Sequence, residues 1–159
     1  MDFVVENGIL GLSIADEHIA VMVKNIAASG INETGGVLIG YYTADNLRAV
    51  VCEVSDPPED SRSGRYWFKR GIKGLKLLLN KAWKEKHYYL GEWHFHPLGT
   101  ATPSSQDLTQ MHEIANSHSY NCPEAIMIII AGSAKRYVVK PFLTDRRSGL
   151  TKPMNVVNN

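Results

Sequence analysis

The spacing of apolar residues divides the chain into short strands and amphipathic helices. Gly8–Ile14 (GILGLSI) reads as a short strand. Ala15–Ser29 follows as a helix, because Ile19, Met22, Val23 and Ile26 recur at helical intervals. Asp16 and Glu17 suit the positive end of its first turn, and Gly30 is a stop signal. TGGVLIGYYT and LRAVVCEVS read as strands, and the turn residues ADN between them predict a hairpin. DPPEDSRSGRY is polar and rich in breakers, hence a loop. In RGIKGLKLLLNKAWKEK, Ile72, Leu75, Leu79 and Ala82 share a face while lysines cover the other, which predicts a second helix. YYLGEWHF is a strand, and SSQDLTQMHEIANSH a third helix with Leu108, Met111 and Ala115 on one side. EAIMIIIAG is a continuous apolar run of buried-strand length, and KRYVVKPFL its expected hairpin partner. Asp145 to Asn159 shows no periodicity and is expected to be a partly loose tail. Strands that mostly neighbour strands, with helices interspersed, predict an α/β domain of the α+β type. Its mixed sheet has helices packed around it. One domain is expected over residues 1–145, with a C-terminal tail at 146–159.

Composition narrows the possibilities. The 159 residues suit a single domain, and 44% hydrophobic with 21% charged residues is ordinary for a globular core with a solvated surface. A formal net charge of +1 lacks the clustered basic excess of a nucleic-acid binder. No apolar run approaches the roughly 20 residues of a membrane span, so neither nucleic acid nor membrane is an expected partner. MDFVVENG has an early acid and no basic leader region, which predicts a cytoplasmic protein. Cys52 and Cys122 are too few for a disulfide framework and read as small buried residues in a reducing compartment.

The chemistry concentrates in GEWHFHPLGTATPSSQD, Gly91 to Asp107. His94 and His96, two apart on a strand, project from one face. Pro97 ends the strand, and ten residues separate His96 from Asp107 in the first turn of the next helix. Two imidazoles and a carboxylate, with a fourth position open, form the ligand set of a catalytic zinc site. The same residues also have a plainer reading. The histidines then satisfy ordinary hydrogen bonds, and Ser104 and Asp107 form a capping box. Other motifs fail. His112–Asn116 lacks the second histidine of His-Glu-x-x-His, no Pro-Cys-x-x-Cys follows, and Thr34-Gly35-Gly36 is no phosphate loop.

Glu33 ahead of TGGVLIG, followed far downstream by His-x-His-Pro, six residues, Ser, two residues and Asp, resembles the JAMM (JAB/MPN-plus) metallopeptidase pattern. The resemblance runs from Gly8 to Leu143. It implies a cytidine-deaminase-like JAB/MPN fold, a curved mixed sheet flanked by helices. It further implies one Zn²⁺ bound by His94, His96 and Asp107, with Glu33 as general base and Ser104 as oxyanion donor. DPPEDSRSGRYWFKRG and YYLGEWHFHP are similar to a bacterial branch found beside E1/E2-like conjugating enzymes, the deconjugating peptidases of CBASS anti-phage operons. That similarity implies a protein substrate with an extended C-terminal tail, either ubiquitin-like or a cGAS-like nucleotidyltransferase joined to a target. The family also holds metal-free scaffolds and sulfur-carrier hydrolases, which remain the alternatives. No second structural zinc is expected, since His112, His118 and Cys122 are too sparse to form one. Two further features stay open. Glu92 shares the face of His94, either orienting a ligand or pairing elsewhere. Tyr66, Trp67 and Phe68 line either a peptide groove or the core.

Overall fold

The computed structural model describes residues 1–6 and 8–157. In chain order the elements are β1 (Asp2–Val5), β2 (Gly11–Ser13), α1 (Asp16–Ser29), β3 (Thr34–Tyr42), β4 (Arg48–Val54), β5 (Arg62–Gly64) and β6 (Trp67–Lys69). They continue with α2 (Leu75–Lys84), β7 (Tyr88–Pro97), α3 (Ser105–Asn116), β8 (Glu124–Ser133), β9 (Arg136–Asp145) and β10 (Leu150–Val156).

Eight strands close into a mixed barrel in the order β1-β10-β9-β8-β7-β3-β4-β2. The β7–β8 and β2–β4 pairs are parallel and the others antiparallel. The expected curved, flanked sheet is thus corrected to a closed one. Closure comes from the two ends of the chain. β1, with no strand expected there, pairs with β2 on one side and β10 on the other. Leu150–Val156 lies in the stretch read as a loose tail, yet it pairs with both β1 and β9. The hairpin β3–β4 and the hairpin β8–β9 form as expected.

Two cores explain the patterns. Side chains from all eight strands meet Ile19, Met22 and Ile26 of α1 in one cluster, with Trp93, Phe95, Ile126, Ile128 and Ile130 among them. A second cluster sits under α2 and α3, joining Val37, Ile39, Ala125, Met127 and Ile129 to Ala82, Met111 and Ala115. β8 is covered on both faces, so alternate residues of its apolar run serve different cores. In α2 the expected face is trimmed. The helix begins only at Leu75, and Ile72 lies outside it, 72% exposed. The segment read as one loop carries β5, which pairs with β6 just beyond it in a short hairpin.

β7 carries a bulge that positions the site. Leu38 of β3 opposes Gly91, but Ile39 opposes Tyr89, so Leu90 is the extra residue. Gly91 takes φ 144, a conformation that disfavours a side chain. Across the bulge, Tyr89 and Glu92, three apart, lie on one side with a hydrogen bond between them. Leu90, Trp93 and Phe95 turn into the barrel core.

Candidate metal centre

With Trp93 and Phe95 in the barrel, alternation sends Glu92, His94 and His96 to the face under α3. The first turn of α3 then delivers Asp107. Nδ1 of His94 lies 2.9 Å from Oδ1 of Asp107, and Nε2 of His96 lies 3.3 Å from its Oδ2. One possible ligand atom from each of the three residues lies within 4.8 Å of the other two, and all three side chains are buried. Two nitrogen donors and one carboxylate oxygen so gathered fit a transition metal of the zinc type.

The capping box expected of Ser104 and Asp107 forms. The Ser104 main-chain N–H and hydroxyl donate to Oδ2 of Asp107 at 2.7 and 2.8 Å. The Asp107 N–H returns a bond to Ser104 Oγ at 3.1 Å. The capping box therefore also aims the carboxylate at the histidines. Burial would raise the Asp107 carboxyl, but hydrogen bonds from His94, His96 and Ser104 outweigh it and hold it well below the usual carboxylate range.

Each imidazole is also held on its far side. Nδ1 of His96 faces the Thr100 carbonyl at 3.3 Å, an acceptor only, so that nitrogen is the donor. Nε2 of His94 faces Oε2 of Glu92 at 3.4 Å. Phe68 packs edge-on against the His94 ring, centroids 5.7 Å apart. The aromatic trio thus splits, with Phe68 buried while Tyr66 and Trp67 are 76% and 45% exposed. Gly35 pairs with His94 across the sheet. A Cβ there would clash first with the Trp93 carbonyl oxygen, next to His94 on β7, and would also meet Phe68 Cε1 at 2.8 Å and His94 Cδ2 at 3.0 Å. Gly35→Ala is expected to push His94 off its position, weakening metal binding and lowering stability by about 1–3 kcal/mol. Metal titration and denaturant unfolding of the same preparation check both.

Glu33 ends the loop before β3. Thr34 opposes Phe95 and Gly35 opposes His94, so one further step in that register sets Glu33 beside His96. Its N–H donates to the Gly64 carbonyl at 2.9 Å, tying it to the β5–β6 hairpin. Burial raises the Glu33 carboxyl, and Asp107 adds to this against the opposing effect of His96 and His94. The five residues singled out from sequence therefore meet in one place: three in the triad, Ser104 capping it and Glu33 at its rim.

Sequence reasoning missed the surround of Glu92. This carboxylate is fully buried. Oε1 accepts from Arg70 Nε at 2.7 Å and from the Tyr89 hydroxyl at 3.0 Å. Oε2 accepts from Gln110 Nε2 at 2.8 Å. Arg70 is itself fixed, donating to the Gly71 carbonyl and the Tyr120 hydroxyl. The local signals were Tyr89, three residues before Glu92, and Gln110, one helical turn beyond Asp107. Phe68, Arg70, Gln106, Gln110 and Tyr120 also line a groove of about 700 Å³ beside the triad.

Burial would lower the His94 pKa, but its bonds to Asp107 and Glu92 outweigh that and raise it to about 9, against an ordinary 6.5. A metal must therefore displace a proton there at neutral pH. In metal-stripped protein the raised pKa contributes stability that is full below about 6.5 and lost as pH rises through about 9. Metal affinity is expected to climb over that same window. Calorimetry in two buffers of different ionisation heat should detect the released proton, and its absence at pH 7 would contradict this.

Residues 15–143 match the family model for prokaryotic homologues of the JAB domain. Over 127 residues the chain is 43% identical to a CD-NTase/cGAS isopeptidase of Enterobacter hormaechei, covering 80% of this chain and 71% of that protein. It is 38% identical over 79 residues to a protein of the same name from Vibrio cholerae, 47% of this chain and 49% of the relative. A protein named as a probable metalloprotease in Sinorhizobium fredii is 24% identical over 138 residues, 79% of this chain and 78% of that one. A solution structure from Desulfitobacterium hafniense shares the fold with a TM-score of 0.68 at 21% identity, covering 92% of this chain and 91% of its own.

Proposed function

The chain belongs to the prokaryotic JAB-domain family, and on that premise we propose that it is a zinc-dependent isopeptidase. Its substrate would be a protein joined through its C-terminus to a target, in the first instance a cGAS-like nucleotidyltransferase. An E1/E2-like conjugating system would make that bond, in bacterial anti-phage defence. The observation that carries the reading is the buried His94–His96–Asp107 triad, each imidazole braced from behind. The names of the Enterobacter and Vibrio relatives support the substrate class.

His94, His96 and Asp107 would hold the ion, which supplies a Lewis acid that polarises the scissile carbonyl and acidifies water. Glu33 would take the proton of the attacking water and hand it to the departing amine. The amine needs that proton, because an unprotonated lysine nitrogen is a poor leaving group. The raised Glu33 carboxyl suits a base whose proton must be given back. The exposed Ser104 hydroxyl would turn to the developing oxyanion, a donor worth about 3 kcal/mol. Asp107 keeps the Ser104 main-chain N–H when it does. The reaction consumes one water and leaves a free carboxylate and a free amine.

Protein purified without chelator is expected to carry about one zinc per chain. Offered a panel of proteins fused or isopeptide-linked through different C-terminal tails, it should release those with nucleotidyltransferase-like tails. Cleavage of none of them by zinc-loaded protein would instead favour a binding scaffold.

A further inference from the structure

The proposed chemistry leaves one charged group of β7 without a task. Glu92 stands two residues before the first ligand, and its side chain is 0% exposed. Arg70 reaches only Oε1 of Glu92, through Nε, and leaves Oε2 to other partners. Glu92 uses both oxygens, in two different directions. Oε1 meets Arg70 at 2.7 Å and Tyr89 at 3.0 Å. Oε2 meets Gln110 at 2.8 Å and faces Nε2 of His94 at 3.4 Å.

We propose that Glu92 is a positioning residue for the metal centre, holding the Nε2–H of His94 so that Nδ1 is the nitrogen offered beside Asp107. This inference rests on the zinc reading above. A free imidazole can present either nitrogen and swing about its ring bond. Phe68 limits the swing, but an aromatic edge does not choose between nitrogens. Without a metal both nitrogens face carboxylates, Asp107 at 2.9 Å from Nδ1 and Glu92 at 3.4 Å from Nε2. A metal beside Asp107 would take the place of the Nδ1 proton, and Glu92 would then keep the Nε2–H and raise the basicity of the ligand nitrogen. His96 has the same device built from a different group, the Thr100 carbonyl opposite its Nδ1. The two ligands therefore present different nitrogens to Asp107, Nδ1 from His94 and Nε2 from His96, each set by the acceptor behind it. Arg70, from the segment after β6, and Gln110, from α3, keep Glu92 aimed. The same two side chains line the groove beside the site, so the metal's support forms part of the groove wall.

The test measures zinc affinity of metal-stripped protein by competition with a chromophoric chelator. Glu92→Gln keeps an acceptor for Arg70 and Tyr89 but loses the ionised partner of His94. It is expected to bind zinc 10–100-fold more weakly. The Nε2–H resonance of His94, sharp in zinc-loaded wild type, should broaden or vanish. Ile128→Val, which loosens the barrel core on the other face of the sheet, should keep wild-type zinc affinity. Should Glu92→Gln not fold, Arg70→Met/Glu92→Met in a Tyr89→Phe background removes the acceptor with its buried cation and the Tyr89 donor, leaving Gln110 at the groove to turn to solvent. The same loss of zinc affinity is expected there. Wild-type zinc affinity in any folded protein lacking the carboxylate at position 92 would overturn the positioning role. An equal loss in Ile128→Val would overturn it too. Failure of the wild type to bind zinc would instead sink the zinc reading itself.

Discussion

Glu33→Gln is expected to hold zinc like the wild type and to lose roughly 10²–10⁴ of turnover. The split between binding and turnover follows from position. Glu33 contributes no atom to the gathered ligand set, yet its carboxyl is close enough to His96, Asp107 and His94 for their charges to act on it. Glutamine keeps the size and the polar head but cannot accept and return a proton. Metal analysis and single-turnover cleavage of one linked substrate measure both halves. Turnover that persists would remove Glu33 from the role of base. Loss of zinc along with turnover would make it a ligand.

Arg70→Met is expected to destabilise the protein by about 3–5 kcal/mol, the cost of removing one partner of a buried ion pair. In a chain of this size that lowers Tm by roughly 6–20 °C. Glu92 is fully buried, and burial works against its charge. Hydrogen bonds from His94 and Arg70, with their charges, hold its carboxyl below the ordinary value nonetheless. Arg70 is matched to the task. Its Nε reaches Glu92 while its other nitrogens reach Gly71 and Tyr120. Lysine at this position would lose that fork and is not a conservative change. The exposed Lys73–Glu59 pair makes the contrast, since breaking it in solvent should be nearly neutral. Denaturant unfolding of metal-stripped proteins measures both. Wild-type stability in Arg70→Met would mean that Glu92 gives up its charge instead.

Much of this molecule was legible because its signals are local. The strand β7, the turn after Pro97 and the capped start of α3 are read from neighbouring residues, and they carry His94, His96, Ser104 and Asp107. The JAB family and the apolar strands β3 and β8 were legible for the same reason. Barrel closure was not, because β1 and β10 are short, partly exposed strands whose pairing joins the two ends of the chain. The bulge at Leu90 was equally hidden, since it exists only in the register between β3 and β7.

Glu92 divides the two kinds of information most clearly. Alternation alone put it on the face of His94. That Arg70, Tyr89 and Gln110 would converge on it depends on where β6, the bulge and α3 come to rest. Sequence by itself determined which side chains could bind a metal, because ligand spacing on one strand and one helix turn is a local property. Tertiary structure alone decided how those ligands are braced. A buried charge takes its partners from whatever elements pack around it, and no spacing along the chain records that choice.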